Sequence, residues 1–370
     1  MAKGPPSGPT ARAKSTTRVK PITRADVARY AGVSSAVVSY VVNNGPRQVA
    51  PATAARVREA IDVLGYRPNV NARALRLGRT TMLGLVVPDC SNPFFAEYAL
   101  EIEQVAADRG IAVLVASSNS DVAQEGRLMA DLIGRRVDGL LVSAVAGPHR
   151  HRPASDRADT PATVYIDSAL PAAGHQTLGA DARGGARLAV SHLLETHDHE
   201  TVALLIGSGI RSTVDEREVG WQDALRAGGR MYGPVVRSPF TREGGYAGAL
   251  QLLTGDRPPT AVFTSNDLQA IGLLRAAHEL GIRVPEDLAV VSFDDTQEAE
   301  YCWPPLTSVR QPLHEMAQAA VRAVLEPPSA RGRHQSFAVD LVIRESCGCK
   351  NAASLLEPGA SEAYGGIKKS

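Results

Sequence analysis

Several short stretches of this 370-residue chain carry reactive residue types, and their spacing decides which chemistry each could do. Asp294 and Asp295 would suit a pair of catalytic carboxylates. Adjacent residues at the end of a strand point to opposite sides, however, so the two cannot share one substrate atom, and a structural or cleft-edge role is expected. His192, His197 and His199 gather near Asp198, yet the first lies several residues upstream and the last two would alternate faces in an extended segment. A solvated surface is expected there rather than a zinc site. Cys347 and Cys349 have one residue between them, and Cys90 and Cys302 stand alone. This is neither zinc-ribbon nor thioredoxin spacing, so reduced structural thiols and no metal are expected. The run from Gly207 to Ser212 begins like a dinucleotide loop but lacks the third glycine and a suitably spaced acid. No Walker loop, nucleophile elbow or zincin motif occurs. The residues therefore nominate no catalytic group and no cofactor, and the chain is expected not to be an enzyme.

A different chemistry, phosphate neutralisation, is written into the first 80 residues. They hold fourteen Lys and Arg against Asp26, Glu59 and Asp62, about +11, so the remainder must be near −10 to give the total of +1. A basic head on an acidic body points to DNA, because phosphate contacts supply most non-specific affinity. Within the head, Val27 to Val38 has helix-turn-helix spacing. Thr23 can cap a helix over Arg24 to Tyr30, Gly32 supplies the turn, and Ser34 can cap the second helix. Ala28, Gly32 and Val38 fall where two helices cross, with Val38, Val41 and Val42 inward. Ser35, Ala36, Ser39 and Tyr40 are left on the outer side that a major groove would meet. A third helix is expected from Pro51 to Leu64. Arg47, in the preceding loop, is a candidate DNA-backbone contact. Residues 68–80 read as a short basic linker with helical potential, of which Leu75 is the notable apolar residue.

The elements that follow change in texture. From Met82 onward, short apolar runs alternate with amphipathic stretches, the mark of βαβ units and a parallel sheet. Strands are expected at 83–87, 111–116, 139–143 and 163–167, then at 202–206, 235–238, 261–264 and 288–293, with helices between them. Two doubly wound halves imply a cleft, where ligands bind outside the carboxyl ends of strands. Residues 1–20 and 350–370 read as disordered, and 151–161 as loop. No apolar run approaches the roughly 18–20 residues of a membrane span, and the basic start has no apolar secretory core, so a cytoplasmic protein is expected.

These residues together carry a resemblance. The motifs Ala31-Gly32-Val33-Ser34, Leu64-Gly65-Tyr66-Arg67-Pro68-Asn69, Ala72-Arg73-Ala74-Leu75-Arg76, Ser91-Asn92-Pro93-Phe94-Phe95, Arg136-Val137-Asp138-Gly139, Ser265-Asn266-Asp267, Phe293-Asp294-Asp295 and Arg310-Gln311-Pro312 occur in order. Over about residues 22–349 the chain resembles the lactose-repressor/galactose-repressor family of transcription regulators. The resemblance implies an all-α helix-turn-helix head (21–67), a hinge helix (68–80), and an α/β periplasmic-binding-protein-like body (81–349) of two doubly wound parallel-sheet subdomains, with crossovers near 181, 294 and 311. It implies a homodimer on palindromic operator DNA, no membrane partner, and a small-molecule effector, by default a sugar, in the cleft.

Residue by residue, it implies DNA contacts from Thr23, Ser34, Ser35, Ala36, Val37, Ser39, Tyr40, Asn43, Arg47 and Arg73, with Leu75 as an apolar wedge in the minor groove. Relatives commonly have Thr at the position of Val37 and Arg or His at that of Tyr40. The operator sequence therefore does not carry over. Effector contacts are implied for Phe94, Phe95, Arg217 and Asp267; Arg211, Thr213 and Phe240 resemble positions of the purine repressor in spacing. A purine or nucleoside effector is the alternative. A sugar sensor without DNA activity would explain 81–349 but not 22–80.

Overall fold

The computed structural model describes residues 22–43, 47–67, 80–147, 161–168, 171, 176–208, 215–326 and 333–350. The chain divides into two units, 1–78 and 79–370. The expected arm, the hinge with Arg73 and Leu75, the loop with Arg211 and Thr213, and the tail lie outside the described residues.

In the first unit, α1 (Arg24–Ala31), α2 (Ser35–Asn43) and α3 (Pro51–Leu64) form the head. The Thr23 backbone N–H and hydroxyl both donate to Asp26, at 2.9 and 2.6 Å, which ties the start of α1. Gly32 stops α1 in the left-handed region, with φ +65°, where other residues are strained. The Val37 N–H then donates to the Ser34 hydroxyl at 3.3 Å, the expected cap of α2. Val27, Ala28, Ala31, Val38, Val57 and Ala60 form the head core. Its small side chains let three short helices approach closely, and each would be marginal alone.

The second unit contains two sheets. The first has the order β11-β5-β4-β3-β1-β2, from β1 (Met82–Val87), β2 (Ala112–Ser117), β3 (Gly139–Ser143), β4 (Ala162–Ile166), β5 (Gln176–Ala180) and β11 (His334–Phe337), paired in parallel throughout. The second has the order β12-β10-β9-β8-β6-β7, from β6 (Ala203–Gly207), β7 (Val235–Ser238), β8 (Ala261–Thr264), β9 (Ala289–Asp294), β10 (Thr307–Arg310) and β12 (Asp340–Val342); only β12 runs antiparallel. Helices α4 (Pro93–Ala107), α5 (Val122–Gly134) and α11 (Leu313–Leu325) pack on the first sheet. Helices α6 (Ala182–Thr196), α7 (Glu216–Ala227), α8 (Arg242–Leu253) and α9 (Asp267–Glu279) belong with the second, and the short α10 (Gln297–Tyr301) links β9 to β10. Buried Leu, Val, Ile and Phe residues of the central strands make the core. No helix among the described residues is long and apolar enough to cross a membrane.

The chain changes sheet between β5 and α6, between β10 and α11, and between β11 and β12. The first two crossings fall near 181 and 311. The third is a correction: it lies at 338–339 and not near 294, because β9 and β10 are neighbours in the same sheet. Strands β5, β10, β11 and β12 and helix α11 went unread in the sequence. The four strands are short and of modest apolar content, and they are ordered by what they pair with, whereas α11 is amphipathic and buries Met316, Ala317, Ala320, Val321 and Val324.

Candidate functional site

The head presents the start of α2 outward. Ser34, Ser35 and Ala36 are exposed, as are Thr23 and Arg47, while Ser39 and Tyr40 are half-buried. Arg24, Arg29, Arg56, Arg58 and Arg67 are also exposed, so this small unit keeps its positive charge at the surface. Val37 departs from the expected set: it is half-buried and packs on the head core. Neighbouring residues on a helix project about 100° apart, so with Val38 fully inward Val37 sits at the flank, and its apolar side chain leans to the core. Asn43 ends α2.

The body's cleft has a volume of about 560 Å³, within the range of small-molecule sites. Its walls are the carboxyl ends of strands from both sheets and the amino ends of the helices that follow them. Asn92 caps α4, its side-chain oxygen accepting from the Phe94 N–H at 3.1 Å. This places Phe94 and Phe95 on the wall, edge to face with ring centroids 5.0 Å apart. From the other sheet, the outer end of the Phe240 ring sits against Gly207, whose missing side chain makes room, since a Cβ there would overlap the ring.

Arg217 sits between these aromatics. Its guanidinium carbon is 5.2 Å from the Phe240 ring centre and 5.6 Å from that of Phe293. Nε and Nη2 donate to the two oxygens of Asp215 at 3.0 and 2.8 Å, and Nη1 donates to the Ser265 carbonyl at 2.7 Å. Burial opposes the charge, but the Asp215 carboxylate outweighs it and holds the guanidinium above its ordinary pKa. The fork is thus fixed in place and charged, with two of its five N–H groups unused among the described residues.

The acidic side of the cleft requires a correction. Asp267, expected to face ligand, is 1% exposed and lies outside the cleft lining. Its Oδ2 accepts from the Thr296 N–H and hydroxyl at 2.8 and 3.0 Å, and its Oδ1 from the Ser308 hydroxyl at 2.8 Å. Burial still lifts its carboxyl to about 6. The residue is the first of α9 and is turned inward to hold the β9–α10 connection. Its neighbour Asn266 faces the cleft instead, capping α9 by accepting from the Gln269 N–H at 2.9 Å.

The carboxylates that do line the cleft are Asp89, Asp167, Asp215 and Asp294. Asp294 accepts from Gln311 Nε2 at 2.9 Å, and Ser143 donates to Asp167 at 3.2 Å. Burial first, then the Asp267 charge, raises the Asp294 carboxyl well above the usual carboxylate range, against the pull of Arg217. Asp167 and Asp294 both have left-handed backbone, φ +52° and +116°, at the ends of β4 and β9. Strain of that kind concentrates where a side chain must be aimed. The adjacent Asp295 points elsewhere, to Arg310 and Arg344, both at 2.6 Å. The two aspartates therefore part as their position at a strand end demands, and they do not form a catalytic pair. Sequence reasoning placed Asp294 no closer than a structural or cleft-edge role and missed Asp167, Asn266 and Gln311 as cleft residues. The signal was available at Asp167 and Asp294, which sit where the strands give out.

A second correction concerns the residues set aside as surface histidines and separate thiols. His192, His197, Cys347 and Cys349 come together, their ligand atoms within 4.8 Å of one another. His199 is apart and pairs with Thr260 at 3.1 Å.

Comparisons with known proteins agree with this architecture. Residues 23–69 match the family described as "Bacterial regulatory proteins, lacI family", and residues 190–347 match "Periplasmic binding protein-like domain". The ribose operon repressor of Escherichia coli (strain K12) is 33% identical over 306 residues, 82% of this chain and 92% of that protein. The HTH-type transcriptional repressor PurR of Pectobacterium carotovorum subsp. carotovorum (strain PC1) is 33% identical over 304 residues, 81% of this chain and 89% of its own length. Among solved structures, the lac repressor dimer bound to operator and the anti-inducer ONPF superposes with a TM-score of 0.77 at 27% identity, covering 89% of this chain and 99% of that one. With a basic three-helix head, a two-sheet body and relatives matched over more than four-fifths of its length, this chain belongs to the lacI family of bacterial regulatory proteins.

Proposed function

We propose that this protein is a cytoplasmic, homodimeric transcriptional repressor whose operator affinity is set by a sugar-type ligand in the cleft. The observation that carries the ligand class is the pairing of carboxylates Asp167 and Asp294 with the fixed Arg217 fork between phenylalanine walls. Sugar hydroxyls donate to carboxylates and accept from guanidinium N–H groups, while the apolar face of the ring lies on aromatic side chains. Asn92 and Asn266 supply both donors and acceptors at the helix starts. A volume of about 560 Å³ suits a monosaccharide with its hydration or a somewhat larger sugar.

The candidate DNA contacts are Thr23, Ser34, Ser35, Ala36, Ser39, Tyr40 and Arg47, with Asn43, Arg73 and Leu75 from the family resemblance. Short side chains at Ser35 and Ala36 give few base-edge bonds, so much of the affinity is assigned to phosphate contacts and to DNA shape. For coupling, a bond that joins the halves is the natural element: the Gln297 N–H of the second half donates to Glu97 of α4 at 2.9 Å. A ligand that touches both halves changes their relative angle only by its difference in affinity between the two arrangements.

Operator selection from random duplexes, followed by a panel of pentoses, hexoses, disaccharides, purines and nucleosides scored on release or retention of DNA, tests this reading. Response to a purine base and to no sugar would replace the ligand class. Absence of a selected sequence would remove the regulator.

A further inference from the structure

We propose that His192, His197, Cys347 and Cys349 bind one structural zinc ion that clamps the end of α6 to the chain's closing segment. The sulfur of Cys347 is 3.4 Å from His192 Nε2, and the sulfur of Cys349 is 3.6 Å from His192 Nε2 and 3.4 Å from His197 Nε2. A tetrahedral zinc with bonds of about 2.3 Å to sulfur and about 2.0–2.1 Å to nitrogen has edges of roughly 3.3–3.8 Å. The three spacings fall on those edges. The donors are two thiols and two imidazoles, a set that favours zinc over oxygen-seeking cations such as magnesium or calcium.

The surroundings hold these four atoms in place. Thr307 donates its hydroxyl to the Cys347 sulfur at 3.1 Å while accepting from the Arg344 N–H at 2.8 Å. Ser346 is fixed between β9 and β10, donating to the Val290 carbonyl and accepting from the Thr307 N–H, at 2.7 and 2.8 Å. His192 Nδ1 lies 3.3 Å from the Thr196 hydroxyl, an acceptor for an Nδ1–H that leaves Nε2 to ligate. Outer contacts of this kind orient ligands in metal sites. Gly348, with φ +102°, turns the chain so that both thiols face the histidines, and a Cβ there would press on the His197 ring at 3.3 Å.

All four coordination positions come from protein, and Cys347 is 1% exposed. Such closed sites are structural. The cleft is reached at the other end of α6, at Ala182, about 20 Å away along a helix of this length. Binding exchanges two thiol protons for the ion, so two protons are released to solvent and the site becomes neutral.

The test uses the full-length chain, purified reduced and without a histidine tag. Elemental analysis after dialysis against zinc should find about one zinc per chain, falling below about 0.2 in Cys349→Ser and in His197→Ala and staying near one in Cys302→Ser. Cobalt added to the metal-stripped wild-type chain should give a thiolate-to-metal charge-transfer band and the visible bands of a tetrahedral ion, a readout independent of how the variants fold. Stripping should also lower the melting temperature. Less than about 0.1 zinc in the wild-type chain, zinc retained by both site variants, or a Cys347–Cys349 disulfide formed instead under the same conditions would each overturn the site.

Discussion

The head and the cleft solve recognition in opposite ways. On α2 the outward residues are short or half-buried, and the cap bond runs from the Val37 N–H to Ser34. In the cleft, Arg217, Asp294, Asn92 and Asn266 are each held by at least one bond before any ligand arrives. Preorganisation favours tight and specific binding because little ordering remains to be done on association. The difference teaches that the cleft offers fixed polar groups to a ligand, whereas the outer face of α2 offers few side chains long enough to reach base edges.

Arg217→Ala should break this contrast most severely. It removes the fork and leaves Asp215 buried without its cation, so ligand affinity should fall at least about 100-fold and stability by about 3–5 kcal/mol. Affinity of the ligand-free protein for operator should stay within about threefold, because the head does not use this residue. Titrations of ligand and operator on the same preparation check both.

Asp267→Ala should act on stability instead. It strands the Thr296 N–H and two hydroxyls in the interior, at a cost of about 2–4 kcal/mol, and chemical denaturation measures it. Unchanged stability with lost ligand binding would return Asp267 to the cleft. The same residue gives a pH dependence. Its carboxyl is lifted by burial from 3.8 to about 6, so the folded state holds the proton more tightly than the unfolded chain does. The stability linked to that proton is present below about pH 4 and lost as pH rises through about 6. Asp267→Asn should flatten the slope of stability between those values.

Asp294→Asn replaces the carboxyl group with an amide of the same shape, and should weaken sugar binding about 10-fold with little loss of stability. The smallest effect belongs to the head: Arg47→Ala should weaken operator binding only a few fold, across sequences, and lower the salt slope by about 1. A change in preferred sequence would instead make Arg47 a base reader.

What could be read from the sequence follows the same division. The head's meaning is local: Gly32, Ser34 and Val38 lie within seven residues, and Pro51 and Leu64 alone bound α3. Eight of the body's twelve described strands were legible from their apolar runs to within a residue or so, and the four that were not carry shorter or more polar runs. The cleft was legible in part, since Phe94, Phe95, Arg217 and Phe240 do converge there. Asp267 was assigned to the ligand and Asp294 to a structural or cleft-edge role; both lie at strand-to-helix junctions, and only the three-dimensional path shows that the fold consumes Asp267 internally. The histidine and cysteine cluster escaped for a related reason. His192 and His197 are separated from Cys347 by more than 140 residues, and each half looks incomplete by its own spacing.

The most direct test of the account is the affinity of the full-length chain for its selected operator, measured by fluorescence anisotropy with and without a saturating sugar from the panel. Wild type should change roughly 5- to 150-fold on adding the sugar, the usual span of such coupling, and Arg217→Ala should show no change at the same concentration. A sugar that binds the wild-type cleft and leaves operator affinity unaltered would contradict it.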